Sequence, residues 1–149
     1  MSTAPTSTPI DSSQSVPGLN AFRPRIAYVT YNVESVERAL AFYVGVLGMQ
    51  EQMRFPIGGG INEVVLGFPD SKGSGLILVW KDDGAAPVVH GDGYSRFVIR
   101  VSDVDGAVAA LVASGVALQT PPTDVGSLRF AMFRDPDGYL IELLQVNRG

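Results

Sequence analysis

In the segment RDPDGYLIELLQ, Arg134 to Gln145, one acid stands inside an apolar, strand-like run. Glu142 lies between Ile141 and Leu143. A carboxylate held in such a place costs several kcal/mol unless it takes up a proton or finds a partner. That makes Glu142 a candidate general acid or base, and the rest of the chain must supply its partner. Other reactive chemistry is sparse. There is no cysteine, so thiolate catalysis and disulfides are excluded. The single histidine, His90, precedes GDG and reads as a solvated loop residue. The GGG at 58–60 lacks the lysine and following helix of a phosphate loop. It reads as a hairpin tip, with a lid as the functional alternative.

Composition narrows the partners. The 149 residues fit one domain with a sizeable core, and 46% apolar with 17% charged residues is a globular balance. A formal charge of −4 argues against nucleic acid, whose phosphates are bound by basic clusters. No apolar run reaches the roughly 18 residues of a membrane span. Residues 1–22 are rich in Ser, Thr and Pro and read as a flexible tail. They lack the basic start and apolar stretch of a secretory signal, so a cytoplasmic location is the default expectation. The folded domain is then 23–149.

Two related units must position these residues. RIAYVTYNV alternates as a half-buried strand, and ESVERALAFYVGVLGM takes helical spacing, with Val36, Leu40, Tyr43 and Leu47 on one face. SRFVIRV and SDVDGAVAALVASGV repeat the pair, with Val104, Val108 and Leu111 on the helix face. Val33 and Val36 match Val101 and Val104 at an offset of 68 (101 − 33, 104 − 36), as Ala39 matches Ala107. Three strand candidates follow each helix: QEQMRFP, NEVVLGFP and GLILVWK, then ALQTPP, LRFAMFR and YLIELLQ. Glycine-rich turns between them mark hairpins. The expected architecture is α+β, a βαβββ module over about 25–84 and a second over about 93–146. Each sheet would have one face covered by its helix and the other left open.

VERALAFYVGVLGM early and FRDPDGYLIELLQ late resemble the vicinal oxygen chelate superfamily of glyoxalases, bleomycin resistance proteins and extradiol dioxygenases. The resemblance spans about Arg25 to Gln145. It implies two modules whose curled mixed sheets surround a small-molecule cavity, commonly in a homodimer. In metal-dependent members it also implies ligands on the first and last strands of each module. The first-strand positions, five before Val33 and Val101, are Tyr28 and Arg96; the last-strand ones align with Leu78 and Glu142. Leucine donates nothing and arginine repels a cation, so the expectation is no metal and no cofactor.

Arg96 then becomes the partner for Glu142, either satisfying it structurally or stabilising an oxyanion while Glu142 moves a proton. Tyr28 would donate to the same oxygen or simply line the wall. Alternation places Thr30 and Asn32 beside Tyr28, and Arg100 beside Arg96 as a receiver for an anionic group. Trp80 shares parity with Leu78, as a wall or as core, and Phe55, Phe68 and Phe130 are further lining candidates. Two functions fit: a metal-independent lyase or isomerase working next to a carbonyl, or a protein that sequesters an aromatic or drug-like compound. A metal-dependent glyoxalase I or dioxygenase fits the residues less well.

Overall fold

The computed structural model describes residues 18–84 and 86–147. Most of the expected tail lies outside them; at its end, residues Asn20–Phe22 form a single 3-10 turn with Phe22 exposed. The rest is eight strands and two helices: β1 Tyr28–Asn32, α1 Val36–Tyr43, β2 Gln50–Gly58, β3 Ile61–Gly67 and β4 Gly75–Lys81. The second set is β5 Phe97–Arg100, α2 Val104–Ala113, β6 Leu118–Val125, β7 Leu128–Arg134 and β8 Leu140–Val146. They build two four-stranded mixed sheets, ordered β1-β4-β3-β2 and β5-β8-β7-β6. This is the expected α+β fold of two βαβββ modules. The sheets do not close, since no strand of one is bonded to a strand of the other among the described residues.

Local chemistry sets the boundaries. The Ser35 hydroxyl accepts from the Arg38 amide at the start of α1, and the Asp103 carboxylate accepts from the Gly106 amide at the start of α2. Gly48, with φ of +79°, releases the chain after α1 in a conformation costly for other residues. At the β2–β3 tip Gly59 and Gly60 have φ of +63° and +74°, the two positive values that a type I′ hairpin turn requires. The GGG is therefore a turn. Pro121 and Pro122 sit in β6 because that strand is an edge, where a missing N–H goes unused.

The parallel pairs β1/β4 and β5/β8 carry the repeat. Val33 donates to the Val79 carbonyl and Val101 to the Leu144 carbonyl, each at 2.9 Å. The helix-facing sides of both sheets merge into one core that includes Val33, Ala39, Tyr43, Leu78, Val104, Phe133 and Ile141. Tyr31 links the modules, its ring centroid 4.1 Å from that of Tyr139 and 6.2 Å from that of Phe97. The opposite side of each sheet faces away from this core.

Candidate functional site

Strand β8 runs through the core, with Ile141 and Leu143 fully or almost fully buried on the α2 side. Glu142 alternates to the outer side, beside Val98 of β5 and Met132 of β7. Its side chain is nevertheless only 8% exposed, because Arg96 lies across it. The Arg96 Nε–H donates to Glu142 Oε2, while Nη1 reaches the Ser95 hydroxyl at 3.4 Å. Arg96 is not in a strand; it immediately precedes β5, and its side chain is 40% exposed. The carboxylate is thus buried and the guanidinium half wet. Apolar residues surround the pair: Val98, Met132 and, one step along, Phe130 and Leu144. An ion pair set in an apolar sheet face can orient a polar group of a small molecule.

Other expected residues fall elsewhere. Tyr28 and Thr30 stand on the outer side of β1, exposed, and no hydrogen bond joins them to Arg96 or Glu142 among the described residues. Tyr28 and Arg100 line one cavity of about 410 Å³ between the sheets. Asn32 and Trp80 border a different hollow of about 310 Å³ beneath residues 86–89.

Leu78 does not line the open face. It opposes Tyr31 in the β1–β4 register, is fully buried, and belongs to the α1-side core. Trp80 shares that side and packs against the same core, its ring 5.6 Å below the Arg54 guanidinium carbon. The residue that does occupy the open position is Ile77. Thr30 opposes Ile77 as Val98 opposes Glu142, and Thr30 and Val98 are 68 apart (98 − 30) while Ile77 and Glu142 are 65 apart (142 − 77). The β3–β4 loop holds seven residues (68–74) and the β7–β8 loop five (135–139), so the repeat loses register before the last strand. A slip of one residue exchanges the faces of a strand.

Sequence reading passed over Glu63. It lies on the outer side of β3, opposite Val79 and Phe55, and alternation in NEVVLGFP was the signal for it. His90 proves half-buried, its Nε2 2.8 Å from the Asp137 carbonyl and its ring packed edge-on against Tyr139.

A second polar cluster, at the junction of the modules, was also missed. The Tyr43 hydroxyl donates to Asp135 Oδ2 at 2.6 Å, Tyr31 bonds Tyr43, and the amides of Asp137 and Tyr139 donate to Asp135 Oδ1. Burial raises the Asp135 carboxyl above its ordinary value and raises both tyrosines, so their hydroxyls stay protonated. Asp137 Oδ1 accepts from Arg38 at 3.0 Å and from the Glu34 amide at 3.2 Å, and the Tyr139 hydroxyl donates to the Asn32 carbonyl. This cluster ties the β7–β8 turn to module one. Its hydrogen bonds are internal, Asp137 Oδ2 is buried without a partner among the described residues, and Asp135 borders a cavity of about 570 Å³ with Phe42 and Leu118.

Two βαβββ modules back to back, each with an open sheet face, define the glyoxalase-like class of fold. The chain belongs to the glyoxalase/bleomycin resistance protein/dioxygenase superfamily, whose model matches residues 25–143. It is 28% identical over 130 residues to the lactoylglutathione lyase of Haemophilus influenzae, covering 81% of this chain and 92% of that protein. Against an Arabidopsis thaliana lactoylglutathione lyase the identity is 29%, with 44% of that longer protein covered. Among solved structures, an antibiotic-binding protein from a Streptomyces species superposes with a TM-score of 0.69 at 27% identity, covering 83% of this chain and 97% of that one. Glyoxalase I of Leishmania major superposes equally well, at 27% identity and covering 82% and 86%.

The donor set does not fit the metal found in metal-dependent members. Tyr28, Ile77, Arg96 and Glu142 occupy the four positions, and the one carboxylate among them is held by a permanent cation. No group of three or more His, Cys, Asp or Glu side chains comes together among the described residues. Nor is any described helix long and apolar enough to cross a membrane.

Proposed function

We propose that the protein is a small-molecule enzyme of the lyase or isomerase kind that moves a proton next to a carbonyl without a metal. The observation that carries this reading is the Arg96–Glu142 pair. It is charged, almost buried on the carboxylate side, and set on the open sheet face rather than in the core. In this reading the Glu142 carboxylate takes a proton from the carbon beside the carbonyl. The C–H electron pair shifts onto the carbonyl oxygen, where the Arg96 guanidinium stabilises the enolate. Where that carbon bears a hydroxyl, Glu142 returns the proton to the former carbonyl carbon. The hydroxyl proton passes to the oxyanion, which moves the carbonyl by one carbon. Where the β-carbon bears a leaving group, the C–X bond breaks as the double bond forms, and the leaving group takes the proton from Glu142. The lactoylglutathione lyase relatives support the class of reaction, not the substrate.

The open faces of one chain leave the pair uncovered, and the reading includes a homodimer in which a second copy encloses it. Tyr28, which stays apart from the pair within one chain, would come from that copy. The test is turnover by Glu142→Gln, once a carbonyl compound has been found by thermal-shift screening. The variant should fold and bind while losing about two to four orders of magnitude in rate. Unchanged turnover would refute the catalytic role.

A second reading, sequestration of an aromatic or drug-like compound, has its own support. The pair's neighbours are apolar, and the antibiotic-binding protein aligns over nearly its whole length. Tight binding with no product formed, and with no loss in Glu142→Gln, would favour it.

A further inference from the structure

Arg96 bears half of the candidate site, yet no strand holds it. Residues 82–96, between β4 and β5, contain no helix or strand among the described residues. Pairing of β5 with β8 begins only at Phe97, opposite Ile141. A side chain that presents donors to a buried carboxylate needs a fixed backbone behind it. Side-chain chemistry ahead of the strand supplies one. The Tyr94 hydroxyl donates to the Leu140 carbonyl at 2.8 Å. Tyr94 stands two residues before Arg96, and Leu140 two before Glu142. One bond therefore ties both chains about 6–7 Å ahead of the ion pair. Burial raises the Tyr94 hydroxyl above its ordinary value, so it keeps its proton and stays a donor.

The ring of Tyr94 is held as well as its hydroxyl. It meets the Tyr139 ring edge-on, with centroids 5.3 Å apart and planes at 87°. Tyr139 is itself buried, and its hydroxyl donates to the Asn32 carbonyl at the end of β1. His90 also packs edge-on against Tyr139, with centroids 4.4 Å apart. Its Nε2 meets the Asp137 carbonyl, a contact that only a protonated Nε2 can make. The 82–96 segment is thus fastened to the β7–β8 turn and the start of β8, at His90 and at Tyr94, before it delivers Arg96. Space-filling accounts for the Tyr94 ring, but not for which carbonyl its hydroxyl meets.

We propose that Tyr94 is a positioning residue of this site: its hydroxyl, bonded to the Leu140 carbonyl, aims the Arg96 guanidinium so that Nε meets Glu142 and the outer edge of the fork stays open to a ligand. The consequence for turnover rests on the proton-transfer reading above. The aim of Arg96 does not.

Hydrogen exchange of the Arg96 Nε–H, followed by nitrogen-15 NMR in the full chain and in Tyr94→Phe, tests this. Phenylalanine keeps the ring contacts with Tyr139 and His90, so the variant should fold. Loss of one hydrogen bond should speed that exchange about five- to tenfold. Tyr139→Phe is the control. It loses a hydroxyl bond of the same 2.8 Å length, to Asn32, and should leave Arg96 exchange unchanged. On a carbonyl compound that the wild type turns over, Tyr94→Phe should raise KM and lower kcat together, as a change acting through Arg96 must. The proposal is overturned if Arg96 exchange is unchanged in Tyr94→Phe, or if Tyr139→Phe speeds it as much. A fall in kcat with KM unchanged would also overturn it, since the effect would then bypass Arg96. Unchanged turnover in Glu142→Gln would instead remove the proton-transfer reading and leave the exchange result standing.

Discussion

Removing the two charges of the Arg96–Glu142 pair one at a time should cost unequal amounts. Glu142 has 8% of its side chain exposed and Arg96 40%. Arg96→Met strands a buried carboxylate, for which breaking a buried pair costs about 3–5 kcal/mol. Water already reaches the arginine end, so a loss of about 2–3 kcal/mol is expected. Glu142→Gln removes the buried charge itself, keeps a carbonyl to accept from Arg96 Nε, and leaves the guanidinium in water. Its cost should be about 1 kcal/mol, near that of an exposed pair. Arg96→Met with Glu142→Leu should regain most of the loss, since Val98 and Met132 beside position 142 are apolar. Urea unfolding at pH 7 followed by circular dichroism resolves these differences. Equal costs for the single variants, or a costlier Glu142→Gln, would refute the burial argument. With Glu142→Leu measured alone as well, additivity of the double variant within about 0.5 kcal/mol would refute the pairing itself.

Other tests address the remaining structure. Burial raises the Asp135 carboxyl, so the folded chain holds that proton to higher pH than the unfolded chain, whose value is about 3.9. Its contribution to stability is fully present below the unfolded value and is lost as pH rises through the raised folded value. Asp135→Asn should abolish this fall in a pH series of urea midpoints, and an unchanged series would count against it. Leu78→Ala should cost about 2–5 kcal/mol by calorimetry, as a core truncation does, and a near-neutral effect would return Leu78 to the open face. Light scattering at micromolar concentration should give a dimer mass, because the β1 and β5 edges and both open faces are uncovered in one chain; a monomer would refute it. Dialysis against a chelator should leave the melting temperature unchanged, whereas a drop restored by Zn²⁺ or Ni²⁺ would contradict the donor-set argument.

Much of this fold is legible in the sequence because short-range rules govern it. Helix starts at Ser35 and Asp103, the glycine tip of the β2–β3 hairpin and the repeated valines each follow from local spacing. Glu142 was reachable because it breaks an apolar alternation, and Arg96 because the resemblance marks the position five residues before Val101. Leu78 was not, because the 68-residue offset holds only up to the first hairpin, and loop length changes before β4. Periodicity inside LILVW cannot tell its two faces apart when residues on both sides are apolar. The Tyr43–Asp135 contact is illegible for another reason: its members lie 92 residues apart, and nothing local in either segment names the other.

An arginine in place of a metal ligand changes what the scaffold can do, not only what it lacks. A bound ion offers exchangeable coordination positions and can take a substrate oxygen at any of them. A guanidinium offers fixed donors in one plane, and here Nε is already committed to Glu142. What remains for a ligand is the outer edge of the fork, on the 40% exposed side of Arg96. A substrate oxygen must approach along that edge, which brings it close to the carboxylate the same arginine holds. The pair therefore couples recognition to any proton transfer: moving Arg96 to release Glu142 would also withdraw the charge that stabilises the enolate. Under the proposed reaction, Arg96 variants should lose binding and rate together, while Glu142 variants lose rate alone.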